Sequence, residues 1–110
     1  MDKSKEGQAM AITCTGEGRV RTAELRGEVD HHRARGLMRE LETLVDTTAP
    51  RELILDLSGV TFMDSSGIAV VLRTWRQVKA LGGELRLAGV PEQAGKVLRA
   101  AGVERLVTVE

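Results

Sequence analysis

The sequence predicts an α/β domain with the element order ββαβαβαβ. Three observations carry that expectation. Two alternating apolar–polar stretches open the chain, as an antiparallel pair with one wet face would. Helical apolar stripes and short apolar strands then take turns, which calls for right-handed crossovers and parallel pairing. The core is aliphatic: Leu, Ile, Val and Phe make up about a quarter of the chain, above the level at which disorder sets in, with one Trp, one Phe and no Tyr.

The elements follow in order. Met10, Ile12 and Cys14 alternate with Ala11, Thr13 and Thr15 as a first strand, with Cys14 expected as a small buried hydrophobe. Gly16-Glu17-Gly18 reads as a turn. Ala23, Leu25, Gly27 and Val29 alternate with Thr22, Glu24, Arg26 and Glu28 as a second strand. Asp30 is placed to cap a helix that starts near His31 and buries Ala34, Leu37, Met38, Leu41, Leu44 and Val45. Thr47-Thr48-Ala49-Pro50 ends it.

Leu53–Leu57 is nearly all apolar and reads as a central strand covered on both faces, broken by Ser58-Gly59. After Val60–Met63 comes Asp64-Ser65-Ser66-Gly67, a cap-like cluster. The spacing of Ile68, Val71, Leu72, Trp75 and Val78 predicts a helix over 68–81, with Arg73, Arg76 and Lys79 on its wet side. Such a basic face is usually only solvated, and an acidic partner is the functional alternative. Gly82-Gly83 stops the helix. Leu85 and Leu87 mark a fourth strand, and Pro91 suits the first turn of a helix burying Ala94, Val97, Leu98 and Ala101. Val103, Leu106, Val107 and Val109 close the chain as a final strand. Residues 1–8 are polar and read as a flexible tail, leaving one domain over 9–110.

Composition narrows the function. Sixteen basic residues balance sixteen acidic ones. A neutral, aromatic-poor domain is a poor nucleic-acid binder. No apolar run nears the ~18 residues of a membrane span. The N-terminus does not resemble a secretory signal, and the single cysteine makes no internal disulfide, so a cytoplasmic chain is expected. A serine hydrolase is disfavoured, because Met63-Asp64-Ser65-Ser66-Gly67 lacks the leading glycine of a nucleophile elbow and no oriented base is apparent. No phosphate-binding loop is present, so a nucleotide-hydrolysing protein is a third choice. His31 and His32 are adjacent, point about 100° apart on a helix, and lack further ligands at metal spacing. No metal, no cofactor and no catalytic residue is expected.

Asp64-Ser65-Ser66-Gly67 remains open to two readings. One is a plain helix cap. The other is a pair of hydroxyls beside a glycine at an exposed helix N-terminus, suited to an anion or a covalent phosphate.

Two segments taken together resemble the signatures of the STAS domain, and more narrowly the bacterial anti-sigma factor antagonists of the sporulation type. They are Gly27-Glu28-Val29-Asp30-His31-His32 and Val60-Thr61-Phe62-Met63-Asp64-Ser65-Ser66-Gly67-Ile68. The resemblance implies a mixed sheet of four to five strands with helices mainly on one face. It implies a partner switch in which the unphosphorylated domain binds an anti-sigma factor, itself a serine kinase, and frees the sigma factor. Phosphorylation of the serine before the glycine, Ser66 here, switches the domain off, and a serine phosphatase resets it. Asp30, His31, Asp64, Ser65, Ser66, Gly67 and Ile68 are the expected docking surface, with Gly67 keeping the kinase's approach clear. Asp30 joins it if the two strand ends adjoin. A monomer is expected. The alternative is a STAS regulatory subunit of an ABC-type membrane transport complex.

Overall fold

The computed structural model describes residues 12–110. The tail expected over 1–8 and the placement of Met10 lie outside these residues. The elements are β1 (Ile12–Glu17), β2 (Val20–Val29), α1 (His31–Thr48), β3 (Glu52–Met63), α2 (Ser66–Ala80), β4 (Glu84–Ala88), α3 (Glu92–Ala100), a 3-10 turn (Val103–Arg105) and β5 (Thr108–Val109).

The five strands lie side by side in chain order. β1 runs antiparallel to β2, and the remaining pairs are parallel. A sheet that grows in one direction through right-handed crossovers carries all its helices on one face. Burial agrees. Leu53, Leu55 and Leu57 are fully buried, whereas Glu52, Ile54 and Asp56 between them are half-buried. The expectation that β3 is covered on both faces is therefore corrected: one face packs under the helices and the other is bare.

Ser58-Gly59 does not end β3 either. The strand outlasts β4, whose pairing stops at Asp56↔Ala88, and continues to Met63 beside β2 alone. The irregularity is absorbed as bulges. Arg26 pairs with Gly59 after Glu24 pairs with Asp56, and Glu28 pairs with Phe62 after Gly27 pairs with Val60. Each shift adds one residue to β3. One added residue turns the side chains over and a second turns them back, so Val29 and Met63 meet as a buried pair. Gly27, at the second bulge, has φ +85°, and a Cβ there would lie 2.7 Å from the Arg33 guanidinium. Arg33 Nη1 donates across it to the Arg26 and Glu28 carbonyls at 3.3 and 2.8 Å.

Several packing expectations shift. α2 buries Gly67, Val70, Val71, Thr74 and Val78, while Ile68, Leu72 and Trp75 are half-buried at the core's edge. The helix face is thus rotated toward its small residues. The Thr74 hydroxyl is satisfied by donating to the Val70 carbonyl at 2.9 Å. Cys14 is exposed, because β1 is an edge strand whose outer half α1 does not cover. Pro91 is the N-cap of α3 with an extended ψ of 159°, so the helix begins at Glu92. The last strand shrinks to Thr108–Val109, since Val103–Arg105 curl into a 3-10 turn that buries Val103.

Candidate functional site

The site is built where β2 and β3 end together. Val29 and Met63 are register partners, and the Asp64 N–H donates to the Val29 carbonyl at 3.1 Å. Each strand then feeds a helix, so the N-termini of α1 and α2 lie side by side with their free N–H groups and positive dipole ends together.

Two carboxylates satisfy this corner. Asp30 caps α1, its Oδ1 accepting from His32 N and Arg33 N, both at 3.1 Å. Asp64 spans both helices. Its Oδ2 accepts from His31 N at 3.2 Å and its Oδ1 from Ser66 N at 2.8 Å. The two aspartates therefore adjoin, as the strand ends require. The Asp64 carboxyl is held below the ordinary aspartate value, first by the Ser66 N–H. Desolvation opposes this, and the Ser66 hydroxyl, the His31 N–H and the His31 charge add to it.

The cap-like cluster divides its work unevenly. Ser65 occupies the N-cap position of α2 but makes no side-chain cap bond, and its backbone is already helical. Asp64 does the capping. Ser65 is exposed, and Ser66 is half-buried in the first turn. The helix starts at Ser66, two residues earlier than its apolar spacing indicated. Gly67 is buried, and a Cβ there would sit 2.6 Å from the Met63 sulfur. Its smallness serves the packing of α2 on Met63. Ile68 is half-buried. His31 and His32 are both exposed, with ring centroids 4.1 Å apart.

Two residues near the corner escaped the sequence reading. Gln93, on α3, grips the backbone of Met63 with both ends of its amide. Nε2 donates to the Met63 carbonyl at 2.8 Å, and Oε1 accepts from the Met63 N–H at 2.9 Å. It replaces the strand neighbour that β4 is too short to provide. Phe62 is the other: it is 43% exposed beside the corner. No local pattern marks Gln93, whereas Phe62 followed by Met63 breaks strand alternation and so carried a signal.

Fold and site define a small α/β module whose chemistry is gathered in one seryl corner between two helix N-termini. The chain belongs to the STAS domain family, whose model matches residues 11–110. It is 26% identical over 90 residues to an anti-sigma F factor antagonist of Paenibacillus polymyxa, covering 82% of this chain and 77% of that protein. It is 30% identical over 83 residues to the anti-sigma-B factor antagonist of Bacillus subtilis, covering 76% and 74%. Among solved structures it resembles the anti-sigma factor antagonist SpoIIAA in its unphosphorylated form, with TM-score 0.77 and 25% identity over 91% of this chain and 88% of that one. The phosphorylated form of the Bacillus protein SpoIIAA matches with TM-score 0.69 and 25% identity over 91% of each chain. These relatives are regulators rather than known enzymes. Among the described residues no helix is long and apolar enough to cross a membrane.

Proposed function

We propose that this chain is an anti-sigma factor antagonist: unphosphorylated, it binds an anti-sigma factor with serine kinase activity and releases the sigma factor, and phosphorylation of Ser66 ends the interaction. The carrying observation is the placement of Ser66 in the first turn of α2, with its N–H on Asp64 Oδ1. The curated relatives are antagonists of this kind, which favours the switch over the transport-subunit reading.

The electrostatics fit such a switch. A phosphate on Ser66 adds about −1.5 to −2 charges. The positive end of α2 accommodates it, so the fold survives. The surface does not stay the same. A neutral hydroxyl that can donate is replaced by acceptor oxygens, and Asp30 and Asp64 already make the corner acidic. A partner shaped around a neutral serine would bury an unpaired dianion, at a cost of about 3–5 kcal/mol. That weakens binding roughly 100- to 1,000-fold. No helix needs to move. Kinase and phosphatase supply the catalysis, and this chain supplies the serine and the docking corner.

The test is phosphopeptide mass spectrometry after incubation with ATP and the purified cognate anti-sigma factor. One phosphate on Ser66, lost in Ser66→Ala, is expected. Transfer at full rate to Ser66→Ala would move the site to Ser65 or end the proposal.

A further inference from the structure

Beyond the corner, three arginines surround an open depression of about 350 Å³ between α1 and α2, lined by Arg35, Met38, Arg39, Glu42 and Arg73. All three arginines are exposed. Among the described residues the ion pairs are Lys79–Glu84, Arg86–Glu52 and Arg86–Glu110, and none involves these arginines. Arg35 and Arg39 stand four residues apart on one helix, a like-charge spacing that destabilises a helix. Arg73 adds a third positive charge from the neighbouring helix. Glu42 is the one acidic residue in the lining. The fold gains nothing visible from this gathering.

Helical periodicity joins the depression to the seryl corner. Arg35 follows His31 by one turn and Arg73 follows Ser66 by two turns, so each lies on the same face as its predecessor. At 1.5 Å per residue those offsets are about 6 and 10 Å. The combined face is bipolar: Asp30 and Asp64 at one end, three guanidinium groups at the other. The ends are separated by about a Debye length at physiological salt, ~8 Å, so they act on different parts of a partner.

We infer that this depression is a docking groove for an acidic segment of the anti-sigma factor, engaged at the same time as the corner around Ser66. The inference rests on the proposed function and adds the chemistry of the partner. Charge complementarity selects carboxylates, which guanidinium forks take bidentately. The depression's continuity with the corner selects the same protein as their source. Phosphorylation leaves the groove untouched, so the groove supplies recognition in both states and the corner supplies the switch.

The experiment measures association kinetics of the purified anti-sigma factor with wild type, Arg39→Glu, Arg73→Glu and the Arg35→Glu/Arg39→Glu/Arg73→Glu triple variant, with Lys96→Glu on α3 as control. Each single reversal is expected to weaken binding about tenfold or more and the triple variant over 100-fold, largely through slower association. Rising salt should slow association of wild type but not of the triple variant. Arg39→Lys should retain most of the affinity. Melting temperatures of the single variants should stay level or rise, because each reversal turns like-charge neighbours into opposite ones.

Unchanged affinity and salt dependence in the triple variant, with wild type binding well, would overturn the groove and leave the proposed function standing. If wild type itself fails to bind, both fall. Saturable ATP binding that the reversals abolish, while anti-sigma binding persists, would reassign the groove to a small anion and overturn the inference.

Discussion

The Asp64 carboxylate accepts the backbone N–H of His31 at 3.2 Å, across 33 residues of sequence. Its other oxygen holds Ser66 N at 2.8 Å. One side chain thereby fastens the N-terminus of α1 to that of α2, and the proposed phosphorylation site is part of the fastening. A change at Ser66 is felt first by Asp64 and through it by His31, which is how a modification on one helix alters a surface made by two.

The fastening predicts a pH dependence. Asp64 titrates below its unfolded value, chiefly because of the Ser66 N–H. Its contribution to stability is therefore complete above the ordinary aspartate range and is lost as pH falls through the depressed pKa. Asp64→Asn removes the charge and one of the two acceptor oxygens, so it orphans either His31 N or Ser66 N. Urea titrations from about pH 2 to 7 should show the gap between wild type and Asp64→Asn largest near neutrality and closing in acid. A gap independent of pH would mean that the carboxylate's charge does not matter.

Substitution at Ser66 should separate binding from folding. Ser66→Ala keeps the Asp64–Ser66 N bond and is expected to fold and to bind the anti-sigma factor while taking up no phosphate. Ser66→Asp places a carboxylate at the positive end of α2 and beside Asp64, two effects of opposite sign on stability. Its melting temperature should move little while its affinity drops at least about tenfold, a loss of ~1.4 kcal/mol. Calorimetry and titration on the same samples check both.

Much of this corner was legible because its parts are neighbours in sequence. Asp30 before a helical stripe, and Asp64-Ser65-Ser66-Gly67 between a strand and a helix, declare themselves by cap chemistry. What was not legible depends on partners far along the chain. The buried face of α2 runs through Gly67 and Thr74, which do not look like core, because close packing on Met63 favours a small residue over a large apolar one. Counting large apolar residues points instead to Ile68, Leu72 and Trp75, which lie at the margin. Cys14 looked buried by alternation alone, but alternation does not say how far along an edge strand a helix reaches. Ser58-Gly59 looked like a break because the sequence does not show that β2 continues beside it.

Gly67→Ala tests the close approach directly. The added methyl meets the Met63 side chain, and overpacking of this kind costs about 1–3 kcal/mol. Shortening the neighbour in Gly67→Ala/Met63→Val should recover part of the loss, giving a non-additive cycle. Chemical denaturation of the four proteins decides it. Additive losses would place the strain elsewhere.

Ala49 ends α1 in the left-handed region at φ 43°, with its N–H donating to the Val45 carbonyl at 2.8 Å. A Cβ is unfavourable there, and glycine is the common residue at such a helix end. Ala49→Gly should stabilise by about 0.5–1 kcal/mol after the added freedom of the unfolded chain is counted. For a domain of this size that raises the melting temperature by roughly 3–5 °C.

Gln93 offers the most discriminating test of how the corner is held. Its amide occupies the place of a missing strand, donating to and accepting from Met63, the residue before Asp64. Gln93→Leu keeps the bulk but leaves the Met63 N–H and carbonyl without partners, a loss of about 1–3 kcal/mol if water does not reach them. Gln93→Glu keeps the acceptor for Met63 N and loses the donor to Met63 O, so it should fall between wild type and Gln93→Leu. Hydrogen exchange tells a local role from a general one. The Met63 and Asp64 amides should exchange faster in Gln93→Leu by more than the global stability change accounts for, while amides in the middle of α1 follow global stability alone. Uniform acceleration would make Gln93 an ordinary packing residue of α3. A local effect would make α3, which carries none of the seryl-corner residues, the element that sets how firmly Ser66 is presented.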